Sequence, residues 1–135
     1  MKVLGIDHIG IAVEDINKAV PLYEKTLGVK AGEIFSGGSG AMRGSFVPIG
    51  KSGRLELVQP IKPTSRTARL VAEKGYGIVH LAITVEDLDK TIAELKALGF
   101  TFMDEKPTPS SSGGNRVIFM DPKSFGGVAI EFVGK

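Results

Sequence analysis

The chain has 135 residues, 42% of them hydrophobic and 24% charged, with 17 Lys and Arg against 15 Asp and Glu, a composition that suits one globular unit with its own core and not a disordered chain. It contains no cysteine, which removes disulfides, thiolate zinc sites and thiol nucleophiles from consideration. A net charge of +2 without a basic run gives no nucleic-acid footprint, and no apolar stretch reaches the roughly 18 residues of a membrane span. The opening MKVLGIDHIGIAV does not have the charged n-region and long apolar h-region of a leader, so a cytoplasmic location is expected.

In chain order, residues 5–13 alternate as a β-strand and lead through Glu14 and Asp15 into apolar residues at helical spacing. Asp15 is placed as an N-cap and Gly28 as the residue that closes the helix. Pro21 falls inside this helix and is expected to delay its start or bend it. A glycine-rich loop, SGGSG at 36–40, precedes SFVPIG and a strand around LELV at 55–58. PIKPTSRTARLVAEKGYG then reads as a turn, a short helix from about Ser65 to Lys74 and a link. A second strand and helix follow, with Asp87 as N-cap and Gly99 as closing residue. Next come a loop, TPSSSGGN at 108–115, and a last strand around IEFV at 130–133. Glycine in these loops permits either close approach to a ligand or a flexible turn.

The second strand and helix are a copy of the first. GIDHIGIAVEDINKAV at 5–20 matches GIVHLAITVEDLDKTI at 77–92 with an offset of 72, which aligns the only two histidines, His8 and His80. LELV also corresponds to IEFV, so that Glu56 answers Glu131. A period of this length exceeds that of solenoid repeats and implies a duplicated module of strand, helix and two or three further strands. The expected arrangement is a single domain over 1–135, with repeat one at about 1–60 and repeat two at about 75–135.

Alternation along a strand assigns the faces. His8 shares a face with Ile6, Gly10 and Ala12, and His80 with Ile78, Ala82 and Thr84; the large residues Ile9, Ile11, Val13, Val79, Leu81, Ile83 and Val85 point the other way. Glu56 shares its face with Arg54 and Val58, and Glu131 with Ala129 and Val133. One face is therefore apolar and suited to helices, while the other carries two imidazoles and two carboxylates. Any one of these residues alone would be read as a hydrogen-bonded or solvated side chain. Four in symmetric positions point to a divalent metal site of His8, Glu56, His80 and Glu131, with Co, Mn, Zn, Ni and Fe all compatible with such a donor set.

DHIGIAVEDINKAVPLYEKTLG, SFVPIG, LELVQP, GIVHLAITVEDLD and GGNRVIFMDPKSFGGVAIEF together resemble the vicinal oxygen chelate superfamily, which includes glyoxalase I, extradiol dioxygenases and bleomycin-resistance proteins. Within it they are most similar to the methylmalonyl-CoA epimerases. The resemblance implies an α+β fold of two tandem βαβββ modules forming a cupped mixed sheet with helices on its outer face. It also implies metal ligands at His8, Glu56, His80 and Glu131, an acyl-CoA substrate and a homodimer.

The implied reaction is removal of the C2 proton and its return from the opposite face, with Glu131 as one base. The resemblance puts the second base at Ser39, where such epimerases carry an acidic residue; Glu33 lies earlier in the same segment. Asp121-Pro122-Lys123-Ser124 stands where they have His-Pro-Lys-Ser. Arg43, Lys51, Arg54, Arg116 and Lys123 are the cations available to CoA phosphates. A glyoxalase I-like lyase, another metal-dependent isomerase of the superfamily and a metal-free drug-binding protein are the alternative readings.

Overall fold

The computed structural model describes residues 1–51, 53–111 and 113–135; Ser112, within the loop expected at 108–115, lies outside the described residues. Module one runs β1 (Val3–Ala12), α1 (Ile16–Leu27), β2 (Phe35–Gly37), β3 (Met42–Ile49) and β4 (Gly53–Pro60). A linking helix, α2 (Arg66–Lys74), leads to module two: β5 (Gly77–Val85), α3 (Leu88–Ala97), β6 (Thr108–Pro109), β7 (Arg116–Phe119) and β8 (Ile130–Gly134). The expected fold class is thus observed, with three strands after the helix in each copy. The hydrogen-bonded strand order is β2-β3-β4-β1-β5-β8-β7-β6, in which one module's order mirrors the other's. Within each module the first strand pairs in parallel with the last, β1 with β4 and β5 with β8, and the remaining pairs are antiparallel.

The helices start and stop where local chemistry dictates. The side chain of Asp15 accepts from Asn17 N at 3.0 Å and that of Asp87 from Lys90 N at 3.0 Å, satisfying first-turn donors that the helix itself cannot. Ile16 N donates to Gln59 Oε1 at 2.9 Å, which ties the start of α1 to β4. Gly28, at φ 65° and ψ 33°, ends α1 in the left-handed region, which glycine enters without a Cβ penalty. Ser65 caps α2 by accepting from Ala68 N at 3.0 Å.

Of the two outcomes expected for Pro21, a late start and a bend, the late start does not occur: α1 runs from Ile16, with Pro21 inside it. The two ties on Asn17 N and Ile16 N fix the first turn ahead of the proline, and Pro21 itself is exposed, so its ring meets solvent. The cost is the hydrogen bond that residue 21 would have donated back to residue 17.

Two compact units compose the chain, His8–Val79 and Met1–Asp7 with His80–Lys135. In the first, Ile16, Val47, Leu55 and Leu57 are buried, with Ile9 and Ile11 of β1, Val13 just after it, and Ala19, Val20 and Tyr23 of α1 packed on them. In the second, Val85, Leu88, Ile92, Leu95, Ile118, Met120, Ile130 and Phe132 form the core, with Leu81 and Ile83 against it. The apolar faces inferred from alternation are therefore the faces that meet α1 and α3. Burying each Leu or Ile contributes about 1.5–3 kcal/mol, so these faces fix the register of β1 and β5 and, with it, the direction of every side chain on the opposite face.

Candidate metal centre

Register places His8 and Glu56 together. Gly10 of β1 lies beside Glu56 of the parallel β4, and His8 is two residues before Gly10, so its side chain emerges on the same face. The same arrangement recurs in module two, where Ala82 lies beside Glu131 and His80 is two residues before Ala82. The small side chains at positions 10, 12 and 82 are buried and leave the imidazoles and carboxylates as the large groups there.

The resulting pairs are close and dry. His8 Nε2 approaches Glu56 Oε1 at 3.5 Å, and His80 Nε2 approaches Glu131 Oε2 at 3.0 Å. Relative exposure is 4% for each histidine and 6% for each glutamate. His8, Glu56, His80 and Glu131 each offer one ligand atom, and all four atoms lie within 4.8 Å of one another.

Two buried carboxylates are expensive unless positive charge compensates them, since desolvation costs several kcal/mol per ion. A divalent cation meets that need with neutral imidazoles as co-ligands. Histidine nitrogen and carboxylate oxygen bind such ions at about 2.0–2.2 Å. The donor set fits a divalent metal, and the cluster is able to chelate one.

One aromatic residue accompanies each pair, and both escaped the sequence reading. Phe46 of β3 is the cross-strand partner of Glu56, and its ring meets that of His8 at 5.6 Å between centroids and 75° between planes. Phe119 of β7 is the partner of Glu131, and its ring meets that of His80 at 5.0 Å and 78°. The signal was present in SFVPIG and VIFM, each with a Phe one strand away from its glutamate, but it needs the antiparallel register to be read.

The other candidates separate. Ser39 and Glu33 are exposed and are not members of the cluster. Ser39 sits in a left-handed conformation at φ 56° and ψ 42° inside a short turn, and its carbonyl accepts from Lys62 Nζ at 3.1 Å. Asp121 caps a short turn, its side chain accepting from Lys123 N at 3.0 Å. Arg116 forms a two-point pair with Asp89, at 3.1 and 3.0 Å, and donates to the carbonyl of Lys135 at 2.9 Å. Hydrogen bonding to Arg116 holds the Asp89 carboxyl below its usual range and, in return, raises the Arg116 guanidinium. Arg54 lies 3.9 Å over the ring of Phe46, a cation–π contact on the face that carries Glu56.

Comparison with known proteins agrees with the geometry. Residues 7–119 match the model of the Glyoxalase/Bleomycin resistance protein/Dioxygenase superfamily. The mitochondrial methylmalonyl-CoA epimerase of Homo sapiens is 29% identical over 127 residues, spanning 93% of this chain and 71% of that one. Among solved structures, methylmalonyl-CoA epimerase from Mycobacterium tuberculosis superposes with a TM-score of 0.86 at 31% identity, covering 98% of this chain and 88% of that one. The Streptomyces coelicolor methylmalonyl-CoA epimerase, a variant in complex with 2-nitronate-propionyl-CoA, gives a TM-score of 0.87 at 28% identity, covering 99% of each chain. The chain belongs to the Glyoxalase/Bleomycin resistance protein/Dioxygenase superfamily.

Proposed function

We propose that this chain is a metal-dependent epimerase of methylmalonyl-CoA or a closely related acyl-CoA. The observation that carries the reading is the set of four buried donors, two imidazoles and two carboxylates, within 4.8 Å of one another; the epimerases similar along nearly the whole chain supply the substrate class. In this reading His8, Glu56, His80 and Glu131 hold a divalent ion, with Co, Mn, Zn, Ni and Fe as candidates. Such an ion supplies a Lewis acid for the negative charge that develops on the acyl oxygen when C2 loses its proton.

The chain's own groups do the rest. The four side chains are buried, and charge interactions are stronger there than in bulk water. Glu131 takes the C2 proton: the C–H bond breaks, the proton passes to a carboxylate oxygen, and a second acid that exchanges its proton with solvent protonates C2 on the opposite face. A carboxylate must lie within hydrogen-bond reach of that proton to act so. The hydroxyl of Ser39 is a poor base without an activating partner, and the missing acid at that position favours a second reading, a glyoxalase I-like lyase or related isomerase with a different acid–base arrangement. The homodimer expected from the resemblance belongs to this reading and is checked by light scattering of the purified protein.

Incubating the metal-loaded protein with methylmalonyl-CoA in D₂O and following C2 by mass spectrometry tests the assignment. The epimerase reading expects one deuterium at C2 and interconversion of the two epimers. Absence of deuterium with that substrate, alongside turnover of a hemithioacetal, would transfer the chain to the lyase reading.

A further inference from the structure

We propose that Phe46 and Phe119 are positioning residues that fix the planes of the His8 and His80 imidazoles for the metal, a proposal that rests on the metal-binding reading above. Each phenylalanine is tied to both members of its pair. It lies directly across the strand from the glutamate, so the two share a face, and its ring crosses the histidine ring at 75° or 78°. Crossed rings at these separations are the favoured aromatic geometry. An imidazole emerging from a strand turns about its second side-chain torsion in a broad well, and a ring set against it narrows that well to one plane. A ligand nitrogen is then aimed before the ion arrives, which is how groups beyond the ligands themselves contribute to metal affinity.

The two copies differ in the residues that stand at the positions flanking the phenylalanine. Phe35 of β2 lies across from Gly44, two residues before Phe46. Its ring stacks on Phe46 at 5.5 Å and 24°. Gly44 makes the room, since a Cβ there would come within 2.6 Å of the Phe35 ring. On the other side along the strand, Arg54, across from Pro48, lies 3.9 Å over the same ring. In module two the equivalent places hold Thr108, across from Val117, and Ala129, two residues before Glu131. Phe46 thus carries a stacked ring on one side and a cation on the other, and Phe119 is buried at 6% exposure.

The test is Co(II) affinity, measured by chelator competition, together with the visible d–d spectrum, in the full chain. Phe46→Leu and Phe119→Leu are each expected to weaken Co(II) binding about 10- to 100-fold and to change the d–d band. Phe46→Tyr and Phe119→Tyr, which keep the ring, are expected to restore both. Phe35→Leu should weaken binding several-fold by loosening Phe46, while Thr108→Ala should leave it unchanged. Phe46 is only half-buried, so Phe46→Leu carries the test even if Phe119→Leu fails to fold. Wild-type affinity and spectrum in a folded Phe46→Leu variant would overturn the positioning role and leave the metal site standing. No Co(II) uptake by the wild-type protein would instead overturn the metal reading beneath it.

Discussion

The two modules repeat one plan with different workmanship. Both carry a His on the first strand, a Glu on the last, and a Phe across from the Glu. Both pack large aliphatics of the first strand against their helix. They diverge wherever the plan does not constrain them: α1 contains Pro21 where α3 has Ala93, and Phe46 is flanked by Phe35 and Arg54 where Phe119 has Thr108 and Ala129. What the copies share is what holds two imidazoles and two carboxylates in place. What differs is available to give each half its own part in the reaction.

The largest expected effect comes from making the same substitution in both copies. Glu131→Gln is predicted to abolish C2 exchange, by about a thousandfold or more, because in the proposed function it removes a carboxylate that serves as both ligand and base, a loss of several kcal/mol. Glu56→Gln, in the matching place, is predicted to retain exchange within about tenfold at saturating metal, equivalent to about 1.4 kcal/mol. D₂O exchange on both variants measures this; equal losses would mean that the two carboxylates have the same role.

Removing the metal acts on both modules at once. With free ion at about 100 times its Kd, binding contributes about 2.7 kcal/mol, so chelation is expected to lower Tm by on the order of 10 °C for a chain of this size. Differential scanning calorimetry with and without chelator reads it. A Tm unchanged by chelation in protein that carries metal would show that the donors gain nothing from the ion.

Converting module one's helix to module two's sequence at one point sharpens the comparison further. Pro21→Ala gives α1 the residue α3 has and restores the missing backbone hydrogen bond, with an expected gain of about 1 kcal/mol and up to about 3. Thermal denaturation should show a higher Tm with exchange activity unchanged. A lower Tm would mean that the proline matches the folded chain better than alanine does.

The smallest effect belongs to the Arg116–Asp89 pair of module two. The folded Asp89 carboxyl lies below its usual range because of Arg116. The pair's contribution is therefore full above the unfolded pKa and fades as pH falls through the folded one. Both side chains are solvent-accessible, so the contribution is small. Arg116→Met is expected to lower Tm slightly at neutral pH, with the gap to wild type closing in acid, and to leave KM for an acyl-CoA unchanged. A raised KM would return Arg116 to phosphate binding.

Much of this was legible in the chain itself. The offset of 72 between His8 and His80, combined with strand alternation, reveals the duplication, the two faces and all four donors, because period-2 patterning and burial express the same physics. Asp15 and Asp87 disclose the helix starts because an N-cap is a local interaction. Phe46 and Phe119 stayed hidden because their role depends on antiparallel register between β3 and β4 or β7 and β8, a non-local pairing that no spacing rule encodes. That α1 starts on time despite Pro21 was not legible, because the ties at Ile16 N and Asn17 N that secure the first turn include Gln59, 43 residues away. Arg116 looked like any other cation until its pairing with Asp89 was in view.

The most direct measurement is X-ray absorption at the cobalt edge on wild-type protein loaded with one Co(II) per chain. Two imidazoles and two carboxylate oxygens around a single ion is the predicted first shell. A shell with one imidazole per ion, or with oxygens alone, would mean that the two halves do not act on one cation.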